Sequence, residues 1–438
     1  MKVLKFGGTS VGSAERMKTL PKLIVNGDPK IVVLSAMSGT TNSLAEIAAL
    51  LHGQKQREAA AAIGSLEEKY ARVVAELYAT PEYAKKATSA LKAHFELLKS
   101  FSAEQFSVKE ERVVLSQGEL MSAMLQNLYL NEQGVQSVLL PALNFMRKDQ
   151  RDEPDMYFIR EVLKRELAQR PGCKLFITQG YICRNFLGEV DNFKRGGSDY
   201  SASIIGAAIG AEEVQIWTDI DGFHNNDPRV VEKTHSISHL SFDEASELAY
   251  FGAKILHPAC VIPVQEAKIP LWIKNTMNPA AFGTLISTET KPDCIKAVAA
   301  KDNITAIKIK SGRMLLAYGF IRQIFEVFED YRTPIDMITT SEVAVSLTID
   351  DTSNLAKIVD KLKHFGVVEV DPNMTIICVV GNKISESKGL AAKIFNALAD
   401  IPIRMISFGG SRHNISLLVD SAYKKPAMEA LNEKLFSI

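Results

Sequence analysis

Residues 1–10 read MKVLKFGGTS, an apolar strand that contains a lysine and runs into paired glycines and two hydroxyls. Glycine has no Cβ, so the backbone amides of Gly7 and Gly8 can turn toward phosphate oxygens. Lys5 would add a mobile positive charge beside them. A plain turn after a strand also explains the glycines. The stretch therefore predicts a strand and, at its end, a candidate phosphate site.

The composition favours a globular protein without a nucleic-acid or membrane partner. The chain has 438 residues, is 46% hydrophobic, and balances 51 Lys and Arg against 51 Asp and Glu. Five scattered cysteines without CxxC spacing fit a reducing cytoplasm better than disulfides or structural zinc. No apolar run reaches the roughly 18 residues of a membrane span. We expect a cytoplasmic protein of two or three domains.

Short apolar runs alternate with longer helical patterns over residues 1–295. The runs are continuous rather than alternating, which is typical of a sheet covered on both faces. The predicted strands are residues 2–6, 30–35, 135–140, 174–178, 213–218 and 271–274. Residues 53–130 are rich in Ala, Glu and Lys and are predicted to be helical. The fold class is α/β, a sandwich with a largely parallel central sheet.

The C-terminal third contains an internal repeat. Residues 319–325 resemble 389–395, and residues 335–338 resemble 403–406. Each copy predicts a βαββαβ unit. We predict a first domain at 1–295, a first repeat unit at 311–371, and a second repeat unit formed by 302–310 with 372–438. The strand at 303–310 is expected to pair with the second unit, and the polar stretch around Pro292 (291–301) to be a linker.

Small and hydroxyl residues follow the second predicted strand in VVLSAMSGTTN, residues 32–42. Thr41 or Asn42 could simply cap the next helix. In an open parallel sheet, however, ligands bind at the carboxyl ends of the strands, where this loop and the loop after Phe6 both lie. Ser35 and Thr41 are therefore candidate ligand contacts.

A second glycine pair lies in RGGSDYSA, residues 195–202. The planar fork of Arg195 could bind a carboxylate, and Ser198 or Asp199 would begin a small apolar helix. The alternative is an ordinary helix cap with a surface arginine.

Three further motifs have ordinary structural explanations. In WTDIDG (217–222) and DPR (227–229), turn chemistry accounts for the aspartates and leaves Arg229 as a candidate phosphate contact. Lys254 in FGAKILHP (251–258) would follow a helix begun by a Ser241–Glu244 capping box, where it could merely complement the helix dipole. Glu119 in SQGELMSA (116–123) looks like an ordinary helix start. A P-loop, an HExxH zinc motif, a GxSxG elbow and a strand-linked GxGxxG are all missing.

Taken in this order, KFGGTS, VVLSAMSGTTN, SQGELMSA, RGGSDYSA, WTDIDG with DPR, and FGAKILHP resemble the aspartate kinase family of the amino-acid kinase fold. The repeat resembles that family's two regulatory ACT domains, so the resemblance covers the whole chain. It implies transfer of the γ-phosphate of ATP, with Mg²⁺, to the side chain of L-aspartate. Lys194 stands where the family usually has glycine, and Phe223–His224 replaces a pair that usually ends in tyrosine.

The resemblance also implies roles for individual residues. Lys5 and Asp199 would serve catalysis, with Asp199 organising the lysines. The implied ATP-binding residues are Lys5, Gly7, Gly8, Thr218, Asp219, Arg229 and Lys254. The implied aspartate-binding residues are Ser35, Thr41, Glu119, Arg195 and Ser198, with Glu119 on the amino group and Arg195 on the α-carboxylate. No dedicated protein metal site is expected.

The C-terminal half resembles the lysine-sensitive members of the family. Its implied effector site comprises Met314, Phe320, Ile321, Asp336, Thr340, Ser341 and Glu342. Asp336 or Glu342 could pair with an ammonium group. Lysine is favoured over threonine, although Ala317 stands where those relatives often have serine. A homodimer through the ACT units is implied, with a tetramer as the larger alternative.

Two other interpretations stay open at this point. One is another amino-acid kinase of the glutamate, acetylglutamate, uridylate or carbamate type, against which Glu119 and the paired C-terminal units argue. The other is a catalytically silent amino-acid sensor, against which the full set of charged residues argues.

Overall fold

A computed structural model describes residues 1–194, 196–252, 255–290, 295–312 and 318–436. Its strands are β1 (Lys2–Phe6), β2 (Lys30–Leu34), β3 (Ser137–Leu140), β4 (Leu175–Gln179), β5 (Ile182–Arg184), β6 (Val190–Asn192), β7 (Val214–Thr218), β8 (His239–Ser241), β9 (Leu271–Asn275), β10 (Thr284–Ser287), β11 (Ile295–Lys310), β12 (Ile338–Thr340), β13 (Ala344–Ile349), β14 (Val367–Gly381), β15 (Met405–Phe408) and β16 (Asn414–Asp420). The six strands predicted within residues 1–295 are confirmed as β1, β2, β3, β4, β7 and β9.

Helices make up most of the remaining regular structure. They are α1 (Ala14–Thr19), α2 (Pro21–Ile24), α3 (Thr40–His52), α4 (Gln56–Leu77), α5 (Pro81–Ser100), α6 (Val108–Glu132), α7 (Ala142–Phe145), α8 (Met156–Ala168), α9 (Gly197–Ile209), α10 (Phe242–Tyr250), α11 (Val261–Glu266), α12 (Phe320–Asp330), α13 (Leu355–Leu362), α14 (Leu390–Ala397) and α15 (Lys424–Leu435). The helical prediction for residues 53–130 is confirmed by α4, α5 and α6. Among the described residues, no helix is both long and apolar enough to cross a bilayer.

Backbone contacts divide the chain into two compact units. The first contains Met1–Phe223 and Leu256–Thr288, and the second contains His224–Ile255 and Glu289–Ile438. The predicted boundary at residue 295 divides the chain differently, because residues 224–255 pack within the second unit. The limits predicted for the two regulatory units stay predictions.

In the first unit, seven strands run in the order β3-β4-β2-β1-β7-β9-β10. All neighbours up to β9 are parallel, and β10 is antiparallel to β9, so the prediction of a largely parallel sheet is confirmed. The apolar side chains of β1, β2, β4 and β7 share one core with the α3–α6 helices. Helix α9 packs against β1, β2 and β7.

In the second unit, six strands run in the order β12-β13-β11-β14-β16-β15. We call β12, β13, α12 and α13, with the adjoining halves of β11 and β14, the first repeat. The second repeat comprises β15, β16, α14, α15 and the other halves of those two strands. Each repeat has its own apolar core. The predicted equivalence is confirmed at the helix starts, where Gly319 (φ 80°) and Gly389 (φ 77°) both occupy the N-cap.

The pairing of β11 corrects two sequence expectations. Residues 305–310 pair with β13 of the first repeat rather than with the second, and also with residues 367–371. Residues 295–301, expected to belong to a linker, pair with residues 376–381. The register shifts between Lys301 and Ile304, where Asn303 has a φ of 60°. The polar run 301–303 is therefore a bulge inside one long strand.

Candidate active site

Four parallel strands of the first unit end side by side. Phe6 at the end of β1 is in register with Leu34 on β2 and Trp217 on β7, and Leu34 is in register with Gln179 on β4. The loop after β2 is tied to β1 by the Ser35 N–H, which donates to the Phe6 carbonyl at 3.2 Å. The motifs predicted to lie at strand exits therefore meet at the carboxyl edge of the sheet, where ligands of open α/β sheets bind.

Lys5 and Asp199 form an ion pair at this edge. Lys5 Nζ lies 2.6 Å from Asp199 Oδ1, and the two side chains are 11% and 18% exposed. A Cβ on Gly7 would lie 3.4 Å from Lys5 Nζ, so the ammonium group sits over the glycine loop. Asp199 lies in the first turn of α9, which packs on β1. A partly exposed lysine held by one carboxylate can meet an incoming phosphate.

Two glycines allow the loop after β2 to be packed closely from both sides. A Cβ on Gly8 would lie 3.0 Å from the Ala36 carbonyl oxygen, and one on Gly118 of α6 would lie 2.7 Å from Ala36 Cβ. A larger residue at Gly118 would push α6 away from the loop. Close approach, rather than unusual backbone dihedrals, explains this glycine.

The SQGELMSA segment is not a helix start, which corrects the sequence expectation. It lies in the middle of α6, which begins at Val108 behind a capping box formed by Ser107 and Glu110. The Ser-x-x-Glu signal of that box was visible in the sequence. The small residues that suggested a start at 116–118 serve the close packing of α6 instead.

Glu119 is a buried carboxylate without a cationic partner among the described ion pairs. The residue as a whole is 5% exposed. Burial raises its pKa to about 7, against the opposing effect of the backbone N–H groups of Glu119 and Ala36. Burial, together with the Glu119 charge, raises the pKa of Tyr181 to about 12 and also raises that of Tyr70. A buried carboxylate of this kind is suited to receive an ammonium group from a ligand.

The candidates on the loop after β2 do not cap the following helix. Gly39 occupies the N-cap of α3 with a φ of 77°, so neither Thr41 nor Asn42 caps it. Thr41 is exposed in the first turn, while Ser35 is half-buried at the end of β2. Lys69 Nζ of α4 donates to the Ser38 carbonyl at 2.7 Å. Thr41 therefore keeps its hydroxyl exposed, and Lys69 contacts the same loop at Ser38.

The RGGSDYSA segment contributes Ser198 to the same region. A Cβ on Gly180, just after β4, would lie 2.3 Å from Ser198 Cβ. Ser198 is buried in the first turn of α9, whose N-cap is Gly196 with a φ of 68°. The helix therefore begins at Gly197 rather than at Ser198 or Asp199 as predicted, and both residues lie in its first turn. Arg195 lies outside the described residues, and its neighbour Lys194 is exposed.

Of the nucleotide candidates, the first unit holds Thr218 and Asp219 at the end of β7. The Thr218 hydroxyl donates to Asp219 Oδ1 at 3.2 Å, and the Thr218 carbonyl accepts from the Thr276 N–H at 2.8 Å. The Thr276 hydroxyl in turn lies 2.7 Å from that of Ser10. The exits of β1, β7 and β9 are thereby joined.

The two remaining nucleotide candidates belong to the second unit. Arg229 is exposed and pairs with Asp227 at 2.8 Å, and this contact lowers the pKa of the Asp227 carboxyl. Lys254 lies outside the described residues. The helix α10 before it does begin with the predicted Ser241–Glu244 capping box, and it ends at Tyr250.

Three residues near the site were missed from the sequence. Tyr181 follows β4, and Thr276 follows β9, so the strand-exit argument applied to β1 and β2 would have found both. Tyr70 lies inside α4, and its hydroxyl is 3.2 Å from that of Thr40. It had no sequence signal, because a tyrosine in an amphipathic helix is usually a core residue.

The predicted effector residues differ in exposure. Phe320 is buried in the core of the first repeat, whereas Ile321, Thr340, Ser341 and Glu342 are exposed, and Met314 lies outside the described residues. The Asp336 carboxylate is almost fully buried, and Lys301 Nζ lies 2.6 Å from its Oδ1. Lys301 also pairs with Asp350 at 2.9 Å, and the Tyr250 hydroxyl donates to Asp336 at 3.1 Å. Asp336 is therefore already bound to an ammonium group of its own chain.

Family models match both halves of the chain. The amino acid kinase family model matches residues 1–275, and an ACT domain model matches residues 377–435. Among known proteins, lysine-sensitive aspartokinase 3 of Escherichia coli K12 is 32% identical over 99% of both chains. Chloroplastic aspartokinase 2 of Arabidopsis thaliana is 32% identical over 99% of this chain and 84% of its own.

Solved structures agree over the full length. The crystal structure of E. coli aspartokinase III in complex with lysine and aspartate, in the T-state, is 32% identical, covers 100% of both chains and superposes with a TM-score of 0.83. The aspartate kinase of Clostridium acetobutylicum is 28% identical over 99% of this chain and 100% of its own, with a TM-score of 0.84. With its parallel sheet, its lysine–glycine strand exit and its paired C-terminal repeats, the chain belongs to the aspartokinases of the amino acid kinase family.

Proposed function

We propose that the protein is an aspartate kinase that transfers the γ-phosphate of ATP to the side-chain carboxylate of L-aspartate, giving ADP and 4-phospho-L-aspartate. This is the first step toward lysine, threonine and methionine. The observation that carries the proposal is the convergence at one sheet edge of a cationic glycine loop and a buried, uncompensated Glu119 carboxylate. The first suits phosphate, and the second suits an amino acid. The free thiols of the described cysteines are in keeping with a cytoplasmic location.

The chemistry asks for positioning and charge neutralisation rather than a strong base. The attacking side chain of aspartate is already ionised at neutral pH. Two anions must be held in line while their mutual repulsion is offset. Lys5 neutralises the transferring phosphate, while the amide of Gly8 donates to its oxygens. The Gly7 N–H, also expected to face phosphate, instead donates to the Trp217 carbonyl at 3.3 Å. Asp199 orients the Lys5 ammonium group through the 2.6 Å contact.

Aspartate is held at its amino-acid end, which leaves its side chain free to attack. Glu119 accepts from the amino group, and Arg195 binds the α-carboxylate in a bidentate manner. Ser35, Thr41 and Ser198 supply hydroxyl donors around the substrate. When the ammonium group of aspartate enters, Glu119 becomes ionised, because a nearby positive charge favours the carboxylate form.

ATP enters as its magnesium complex. Thr218 and Asp219 hold the nucleotide at the end of β7. The nucleotide roles implied for Arg229 and Lys254 stay predictions. Among the described residues, no group of three or more His, Cys, Asp or Glu side chains could form a metal cage. Mg²⁺ in a nucleotide complex is bound mainly by phosphate oxygens and water. The ion would neutralise phosphate charge during transfer.

The second unit binds a feedback inhibitor, for which lysine is favoured over threonine. Glu342 is exposed, and it is not among the described ion pairs, so it can receive the side-chain ammonium of lysine, with the hydroxyls of Thr340 and Ser341 beside it. Exposed Ile321 and Phe325 on one face of α12, with Ile338 on the edge strand β12, support a homodimer through the ACT units. Inhibition follows if lysine binds better to a state with misplaced kinase loops.

A coupled assay of ADP release tests the proposal. Aspartate is compared with glutamate, N-acetylglutamate, uridylate and carbamate, and lysine or threonine is then added at millimolar concentration. We expect ADP release with aspartate alone and inhibition by lysine. Release with another acceptor instead would identify another amino-acid kinase, and no release with any acceptor would identify a silent sensor.

A further inference from the structure

A buried charge cluster lies behind the aspartate end of the site, and none of the proposed roles uses it. Asp191 on β6 is 2% exposed at its side chain. Its Oδ2 lies 2.9 Å from Lys148 Nζ, and its Oδ1 lies 3.2 Å from Arg112 Nε. Lys148, itself 3% exposed, also reaches Asp152 at 2.5 Å and donates to the Asn192 carbonyl at 3.2 Å.

The cluster joins α6, which carries Glu119, to the β5–β6 hairpin, which precedes α9 and Ser198. Arg112 lies on α6 seven residues before Glu119, which is about two helical turns, so the two side chains share one face of the helix. Asp191 lies four residues before Arg195 in the sequence. Between them, the Phe193 N–H donates to the Tyr181 carbonyl at 2.8 Å, and the Phe193 ring packs edge-on against Tyr200.

The same segment is secured on its other side. The Tyr181 N–H donates to the Ser201 hydroxyl at 2.8 Å, which ties the exit of β4 to α9. The Lys148 N–H donates to the Arg184 carbonyl at 2.8 Å, which ties Lys148 to β5. The β5–β6 hairpin is thus held between α6 and α9, and the charge cluster is its buried contact with α6, next to the more exposed Lys109–Glu189 pair at 2.6 Å.

Net stability is a weak explanation for such a cluster. Burying charges costs desolvation, and well-packed apolar residues often give equal or greater stability. What an ion cluster adds is a fixed register between the elements that it joins. Arg112 and Lys148 approach the Asp191 carboxylate from two different elements, which fixes both its place and its orientation.

We propose that Asp191, held by Lys148 and Arg112, is a positioning residue that sets the spacing between Glu119 on α6 and Ser198 at the start of α9 and so the affinity for aspartate. The inference rests on the proposed function of Glu119 and Ser198. A shift of about 1 Å in a substrate-holding group can cost about 100-fold in efficiency. The ATP side of the site, built from the exits of β1 and β7, does not depend on this contact.

Steady-state kinetics of Asp191→Asn with both substrates varied are the test. We expect the KM for aspartate to rise about 10- to 100-fold while the KM for ATP stays within about twofold. The double variant Asp191→Leu with Lys148→Met removes both charges of the most buried pair at once, so that no buried charge of that pair is left alone and the protein still folds. It should show the same selective rise in the KM for aspartate. Asp155→Asn is the matched control, because it weakens the neighbouring Arg147–Asp155 pair, which is 2.5 Å long, and should leave both constants unchanged.

An unchanged KM for aspartate in folded Asp191→Asn would overturn the inference, as would an equal rise in the KM values of both substrates. Recovery of the wild-type KM in the apolar double variant would also overturn it, since the cluster would then be structural only. Wild-type enzyme without aspartate-dependent ADP release would contradict the proposed function itself. The two failures are therefore distinct.

Discussion

Each unit contains a lysine–aspartate pair with a 2.6 Å contact, and the two pairs differ in their surroundings. Lys5 and Asp199 stand at the edge of the parallel sheet with a glycine loop beneath the ammonium group. Lys301 and Asp336 are enclosed by Asp350 and Tyr250, and the Tyr250 ring lies 4.9 Å from Lys301 Nζ. Contact length therefore says little about function. The Lys5 ammonium has one carboxylate partner beside the glycine loop, whereas the Lys301 ammonium is held by two carboxylates.

The two repeats of the second unit also differ in the charge at equivalent positions. Asp336 and Arg404 occupy equivalent positions, since their backbone N–H groups donate to the Thr348 and Leu418 carbonyls at 2.9 and 2.8 Å. The first repeat thus has a buried carboxylate where the second has an arginine that pairs with exposed Asp371. An inhibitor with a second ammonium group would be repelled by the arginine. The first repeat is consequently the better place for lysine.

The largest effect is expected from Lys5→Met. Removing a cation aimed at the transferring phosphate should lower kcat roughly 1,000-fold, because charge stabilisation is the main catalytic contribution here. The melting temperature is the folding control, because the two side chains are only 11% and 18% exposed. A discontinuous or coupled assay of ADP release gives kcat, and a thermal melt shows whether the variant is folded. A kcat near that of the wild type would remove Lys5 from the mechanism.

The next largest effect is expected from Glu119→Gln. The substitution keeps the shape of the side chain but removes the charge that receives the amino group of aspartate. Loss of a charged hydrogen bond of this kind costs about 2–3 kcal/mol, so the KM for aspartate should rise roughly 30- to 160-fold. The KM for ATP is the internal control. Equal changes in both constants would place Glu119 away from the amino acid.

The pH profile sharpens the same assignment. Glu119 has a pKa raised to about 7, so the free enzyme carries it protonated below that pH. The kcat/KM for aspartate should therefore rise as the pH passes through about 7, and this rise should vanish in Glu119→Gln.

Stability should change in the opposite direction. Between pH values of about 4.5 and about 7, the folded chain holds a proton on Glu119 that the unfolded chain has lost. The contribution of Glu119 to the free energy of unfolding therefore falls as the pH rises through this range.

A smaller effect is expected from Lys301→Met in the second unit. The ammonium group of Lys301 competes with an effector ammonium for Asp336, so its removal should lower the half-inhibitory lysine concentration about fivefold, within the usual range of coupling energies. The uninhibited kcat should stay within about twofold. Lys310→Met on the same strand is the control, because its pair with Glu369 is half-exposed. An unchanged response to lysine would place Asp336 outside the effector site.

The smallest effect is expected from Arg404→Ala in the second repeat. Its pair with Asp371 is exposed, and exposed pairs contribute about 0.5 kcal/mol. Chemical denaturation should show at most that loss, and the lysine titration should match the wild type. A weakened response to lysine would show that the second repeat takes part in effector binding.

The sequence predicted those parts that depend on local pattern. Continuous apolar runs identified the strands, and their carboxyl ends placed Lys5 and Ser35 at one edge of the sheet. The place of Glu119 in its helix was harder to predict. A glycine at position 118 suggests the start of a helix, and only the structure shows that it allows close contact with Ala36. The Lys301–Asp336 and Asp191–Lys148 pairs join residues that are 35 and 43 positions apart. A local pattern holds no information about such contacts.

The most direct test of the contrast between the two pairs is a single experiment on two variants. The kcat for aspartate-dependent ADP release is measured for Lys5→Met and Lys301→Met at saturating ATP and aspartate without lysine. We predict a roughly 1,000-fold loss for Lys5→Met and a change within about twofold for Lys301→Met. Comparable rates in the two variants would contradict the assignment of catalysis to the edge of the parallel sheet.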